Sequence, residues 1–296
     1  MTRPANENPK LKGSEFYDTL YRDAAIRIPA ATATDPYQYI PKAIQNQDKG
    51  RRTQTYTYNY TRPTNLEHHV RYGQTISALD QVIGDLVSDL EQRGLFDNTV
   101  IIFASDHGVL MGEYGMGGKA LLYDLAAKIP CFVYDPHAAK LRGGQEMDEL
   151  VTSTDITATM LDYAGVAAPD FKEGVSIRPL IDDAVVDWRD ELFLESLFVL
   201  RDTPFQEGIR RGSWKYIRMF DGVQGWREAD IDFSDRTPDF EMLFNLEEDP
   251  GEEHNLIGQV QVEPVLADLR ARCATQSNAG NARRAAFQEA VVTTPR

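Results

Sequence analysis

The sequence predicts an α/β fold in which a parallel sheet is sandwiched by helices, followed by a small antiparallel sheet with one helix. Three observations point there. Tyr72, Ile76, Leu79, Ile83, Leu86 and Leu90 recur at steps of three and four, the period of a helix with one buried face. The apolar run Val100-Ile101-Ile102-Phe103-Ala104 is too short for a globular helix and rich in β-branched and aromatic residues. It reads as a strand buried on both faces of a parallel sheet, and a helix feeding such a strand is half of a βαβ unit. Beyond Asp187 the pattern changes to grouped strands at Glu191–Ser196, Gln206–Met219 and Phe240–Leu246, with a helix over Val262–Arg272.

Along the chain, the polar opening MTRPANENPKLKG predicts a loosely attached end. Glu15 to Arg22 suits a short helix, and prolines at 29, 36, 41 and 63 divide the rest of this region into loops. Tyr37, Tyr39, Tyr56, Tyr58 and Tyr60 either line a pocket mouth or pack on the body of the protein, packing being the commoner use. His68 and His69 are adjacent, and neighbouring helical positions point about 100° apart, so surface placement is expected rather than a shared metal. The long helix ends at Gly94.

At the end of the central strand stand Ser105-Asp106-His107-Gly108, so a carboxylate and an imidazole emerge at a carboxyl edge, where open α/β sheets bind ligands. Gly108 permits the break in alternation that lets both side chains reach one divalent cation. The alternative is a strand that ends in a polar turn. The glycine-rich passage after it closes on Lys119, a point charge suited to an anionic group. Pro130 to Tyr134 then forms a second short strand, which makes Cys131 a core residue, and His137 sits in a solvated turn. The segment VTSTDITATMLDYAGV reads as a helix capped at Ser153, Thr154 or Asp155, with Ile156 and Met160 inward and Gly165 at its end. Gly174–Leu180 reads as a structural turn. Arg210, Arg211 and Lys215 could reach an anionic substrate, but their pattern favours the solvated face of a strand near a sheet edge. After Ser277 the sequence predicts a frayed tail.

Composition narrows the function. A net charge of −15 disfavours a nucleic-acid backbone as partner. No run approaches the ~18 apolar residues of a membrane span. The two cysteines, Cys131 and Cys273, make neither a disulfide framework nor a zinc motif.

From Tyr72 to Pro136 the chain resembles the sulfatase family of the alkaline-phosphatase superfamily, through SALDQVIGDLVSDLEQRGLFDNTVIIFASDHG, GEYGMGGK and KIPCFVYDP. EGIRRGSWKYIRM and EMLFNLEEDPGEEHNL resemble that family's C-terminal subdomain. The resemblance implies an alkaline-phosphatase-like sheet, with Asp106 and His107 as metal ligands and Lys119 as the catalytic, substrate-binding cation for a sulfate or phosphate oxyanion. His107 and the thirteen-residue step to Lys119 are similar to the branch of phosphonate monoester hydrolases and choline sulfatases. Gly112-Glu113-Tyr114-Gly115 departs from that branch's GEHG, so the role of its histidine is not carried over.

The expected metal is Ca²⁺, with Mn²⁺ open because nitrogen donors favour transition metals. The expected substrate is a small anionic sulfate or phosphonate ester. The family's nucleophile is a formylglycine made from cysteine in C-x-P/S-x-R, and neither Cys131-Phe-Val-Tyr nor Cys273-Ala-Thr-Gln fits. The paired acidic residues of the family's early strand and its central histidine motif are likewise unmatched. The resemblance therefore implies the C-terminal portion of the catalytic fold over 1–186, a small α+β subdomain over 187–276 and a disordered tail over 277–296. By itself such a chain is expected to be inactive, with a missing N-terminal part or a second copy as partner; a non-catalytic binding subunit is the alternative. A cytoplasmic location follows if Met1 is the natural start, a periplasmic or secreted one if a signal precedes it.

Overall fold

The computed structural model describes residues 15–27, 62–115, 117–119, 121–138, 146–167, 173–182, 184, 187–196, 204–220, 233 and 236–293. In chain order the elements are α1 (Glu15–Thr19), α2 (Arg62–Gln92), β1 (Ile101–Ala104), β2 (Leu110–Met111), β3 (Gly117–Gly118), α3 (Asp124–Ala127) and β4 (Cys131–Tyr134). There follow α4 (Ser153–Tyr163), α5 (Arg178–Ile181), β5 (Glu191–Ser196), β6 (Phe205–Arg211), β7 (Trp214–Phe220), β8 (Phe240–Asn245) and α6 (Glu263–Thr293). Two compact units emerge, one within Met1–Pro36, Tyr58–Gly117 and Ile129–Trp188, the other within Tyr37–Thr57, Gly118–Lys128 and Arg189–Arg296. The tyrosines at 37, 39, 56, 58 and 60 lie outside the described residues, as does the polar opening.

In the first unit, Arg71 pairs with Asp18 and, at 2.8 Å, with Glu67, fastening α1 to α2. The helix ends where expected, with Gly94 at φ +66°, a conformation glycine adopts at little cost. Its apolar stripe is a correction: Tyr72, Ile76, Leu79 and Leu86 are exposed. Periodicity reports that a helix face is apolar, not what covers it.

β1 and β4 pair antiparallel, Ile101 opposite Tyr134 and Ala104 opposite Cys131. The expected parallel partner of this strand is therefore not the one it has here. The chain leaves β1 and returns into β4 at the same edge, and the longest described helix between them, α3, has four residues. A parallel return requires a crossover of about a dozen residues or more, usually helical. Nor is β1 buried on both faces: Ile101 to Phe103 are half-buried, and Cys131, expected in the core, is exposed. Phe103 stacks on Phe132 across the pair with ring centroids 4.9 Å apart.

The N-cap of α4 is Thr152, one residue before the expected trio, in a reciprocal capping box with Asp155. The inward face carries Asp155, Ala158 and Thr159, whereas Met160 is exposed. Asp155 accepts the Val175 N–H at 2.8 Å and Thr159 the Ile177 N–H at 2.9 Å, so polar anchoring of the Gly174–Leu180 turn decides which face turns in. A Cβ on Gly174 would stand 2.1 Å from the Thr154 carbonyl oxygen, a close approach that only glycine allows.

The second unit holds a four-stranded antiparallel sheet in the order β5-β6-β7-β8. The stretch expected as one strand from Gln206 to Met219 is a hairpin, turned by Gly212-Ser213 with Gly212 at φ +56°. Glycine at the first position of a two-residue loop is what a II′ turn requires. Ile209, Tyr216 and Leu243 of the sheet pack with Val262, Leu266, Leu269 and Cys273 of the C-terminal helical segment. α6 continues to Thr293, well past the expected frayed tail. The alanines and arginines after Ser277 are strong helix formers, and Ser277 and Arg284 tie the helix to Glu207 and Glu195 at 2.7 and 2.9 Å.

Candidate functional site

Asp106 and His107 are brought together at the end of β1. The Asp106 carboxylate accepts the His107 backbone N–H at 3.0 Å through Oδ1, while Oδ2 stands 3.2 Å from His107 Nε2. His107 Nδ1 lies 2.8 Å from the Gly108 carbonyl oxygen. A carbonyl only accepts, so Nδ1 carries a proton and, in the neutral ring, Nε2 carries the lone pair. A lone pair facing a carboxylate at 3.2 Å requires a cation or a second proton between them. Two donors about 2.3 Å from one cation and at right angles stand about 3.3 Å apart, close to the observed separation. The Asp106 side chain is 82 % exposed and that of His107 36 %, so the pair opens outward. Among the described residues no group of three or more His, Cys, Asp and Glu side chains is gathered for a metal. The pair fits one edge of a coordination shell and no more.

Within the glycine-rich passage, Tyr114 is buried and has φ +53°, a conformation uncommon for any residue but glycine. Lys119 belongs to the second unit and is exposed. The residues just after it are held firmly. Leu121, Leu122 and Tyr123 are buried. The Leu122 N–H donates to Gln206 Oε1 at 3.1 Å, the Tyr123 hydroxyl to Met242 Sδ at 3.4 Å and the Asp124 N–H to Glu252 Oε2 at 2.5 Å.

Lys215 corrects the expectation of a solvated cation. It is completely buried, with Nζ 2.6 Å from Asp124 Oδ1 and 2.7 Å from Glu252 Oε1. Its cross-strand neighbour Arg210 reaches Asp124 Oδ2 at 3.2 Å. Burial holds the Glu252 carboxyl above the usual carboxylate range, with Lys215 pulling the other way. Burial, and secondarily the Glu252 charge, raises the Tyr123 hydroxyl. Sequence reasoning missed this quartet because Asp124, Arg210, Lys215 and Glu252 share no local spacing; only the fold unites them. Arg211 pairs at the surface with Asp190 and Asp268. His68 and His69 are half-buried on α2 rather than on its surface, and His137 is exposed as expected.

The family model "Sulfatase" matches residues 29–166, and the model "N-sulphoglucosamine sulphohydrolase, C-terminal" matches residues 112–279, more than half of the chain. The chain belongs to the sulfatase family. An arylsulfatase of Clostridium perfringens is 32% identical over 200 residues, 67% of this chain and 38% of the relative. A choline-sulfatase of Rhizobium meliloti is 28% identical over 257 residues, 84% of this chain and 44% of the relative. Among solved structures, a protein in complex with its substrate D-glucosamine-2-N,6-O-disulfate superposes with TM-score 0.70 at 19% identity, covering 89% of this chain and 61% of that one. A phosphonate monoester hydrolase from Silicibacter pomeroyi gives TM-score 0.68 at 22% identity, covering 90% of this chain and 52% of that one. The fold of this sulfatase-family chain is therefore that of the alkaline-phosphatase-like hydrolases, and it spans less than two thirds of each of these relatives.

Proposed function

We propose that this chain supplies the metal-binding edge and the oxyanion-binding lysine of a formylglycine-type sulfuric ester hydrolase. The observation that carries the reading is the Asp106–His107 pair, an oxygen and a nitrogen donor 3.2 Å apart with the ring oriented by the Gly108 carbonyl. Asp106 and His107 would hold a divalent cation, Ca²⁺ first and Mn²⁺ second. Such an ion, when bound, polarises the ester oxygens and stabilises charge on them. Lys119 binds and orients the anionic group and stabilises the charge that develops on it during transfer. The Gly108 carbonyl accepts from Nδ1, which leaves Nε2 as the ring nitrogen that would face the cation. A nucleophile of the C-x-P/S-x-R type is not among these 296 residues, so the chain alone is expected to be inactive. The likeness to choline and aryl sulfatases supports a sulfate ester as substrate, and that to the phosphonate monoester hydrolase makes a phosphonate ester the second choice.

The test is hydrolysis of 4-nitrophenyl sulfate and of a phenyl phosphonate ester by this chain joined to a segment carrying that motif. Lys119→Ala should lower kcat/KM by about 100-fold or more, the loss seen for a single oxyanion-stabilising donor. Hydrolysis indifferent to both Lys119→Ala and Asp106→Ala would refute the reading. The exposed apolar residues of α2 favour a second reading, a non-catalytic subunit that works covered by another polypeptide. That reading gains if the joined protein hydrolyses neither ester.

A further inference from the structure

The chain that carries Lys119 is bound into the second unit by consecutive residues of quite different chemistry. Leu122 lies against Gly208, where a Cβ would come 3.6 Å from its Cδ1, and its N–H is taken by the buried Gln206. Tyr123 sits 6.1 Å, centroid to centroid, from Phe244. Asp124 is gripped at three atoms: its N–H by Glu252, Oδ1 by Lys215 and Oδ2 by Arg210. Two cations and two carboxylates are thereby balanced in a place where Lys215 and Glu252 have almost no exposure. Glu252 reaches this place from a backbone at φ +50°. Such a conformation persists in a non-glycine residue only when its surroundings over-determine it. A cluster this costly to bury would add little to stability over apolar packing, so its geometric specificity is the feature to explain.

We propose that Lys215, Asp124 and Glu252 are positioning residues that set the place of Lys119 by locking Leu122–Asp124 onto the β6–β8 sheet. This rests on the reading of Lys119 as the oxyanion-binding residue. Asp124 lies five positions after Lys119, so an anchor at Leu122–Asp124 limits where the ammonium can stand. A salt bridge elsewhere in the unit, such as Arg218 with Glu207, holds sheet and helix together without touching this loop.

The test uses the chain itself, with Asp124→Asn as an isosteric variant and Lys215→Met as a second one. Amide hydrogen exchange should accelerate at Leu122 and Asp124 by about tenfold or more beyond whatever acceleration the amides of β6–β8 share through lowered global stability, the loss of one charge-assisted hydrogen bond. Inorganic sulfate, titrated calorimetrically, should bind roughly tenfold more weakly to both variants, as it should to Lys119→Ala. Unchanged exchange at Leu122 and Asp124 overturns the proposal, as does equal acceleration throughout the sheet, which marks a merely structural role. Unchanged sulfate affinity in both variants overturns it too, provided Lys119→Ala lowers that affinity. Sulfate binding indifferent to Lys119→Ala instead refutes the assignment of Lys119 itself, a separate failure.

Discussion

Replacing Lys215 by methionine removes a cation whose Nζ serves Asp124 at 2.6 Å and Glu252 at 2.7 Å, at a site with no solvent exposure. The apolar stem is preserved, so the loss is electrostatic. Removing one partner of a buried pair leaves an uncompensated charge and costs about 3–5 kcal/mol. Against a total stability of about 5–15 kcal/mol that is a large fraction, and it corresponds to a fall in Tm of roughly 10 °C. Glu252 gives the loss a pH signature. Its carboxyl already lies above the usual range through burial, and Lys215 is the first of the influences pulling it down, so the variant raises it further. A carboxylate with a raised folded pKa favours folding below the unfolded value of 4.5 and loses that contribution as pH rises through the folded value. Lys215→Met should therefore be most destabilised at pH 7–8 and recover part of its stability towards pH 5. Adding Glu252→Gln should flatten the dependence and restore part of the loss. Urea unfolding at both pH values reads this directly. A Cm equal to that of the parent, or a loss independent of pH, would show that the quartet is not a coupled buried cluster.

Other outcomes follow from single observations. Gly174→Ala drives a Cβ to 2.1 Å from the Thr154 carbonyl and should cost about 1–3 kcal/mol in thermal unfolding, since backbone must shift. Gly84→Ala, inside α2 with nothing within 4 Å, should instead stabilise by about 0.5–1 kcal/mol. A thiol reagent at pH 8 should find one reactive cysteine in the native chain, Cys131, and two after denaturation; burial pushes the Cys273 thiol up to about 12. Calorimetry should give Ca²⁺ and Mn²⁺ dissociation constants no tighter than about 0.1 mM for the chain alone, because hard divalent ions take about six donors or more and the described site offers two. Submicromolar binding would overturn that ligand count.

What was legible in the sequence was whatever depends on near neighbours. Gly94, the Asp106–His107 pair and the strands β5 and β8 follow from local period and turn chemistry, and their positions agree with the structure. What escaped depends on partners distant in the chain. An apolar five-residue run announces a strand but not the direction of its neighbour; that is set by which edge the chain returns to after residue 105. The alternation that made Lys215 appear solvated treats a strand face as facing either core or water. In β7 that face meets a third possibility, two separate segments of the same unit that each bring a carboxylate, Asp124 and Glu252. A lysine can be buried only if charge is brought to it, and here the charge comes from 91 residues before it and 37 residues after it. No window of sequence contains all three groups, although each is needed to explain the other two.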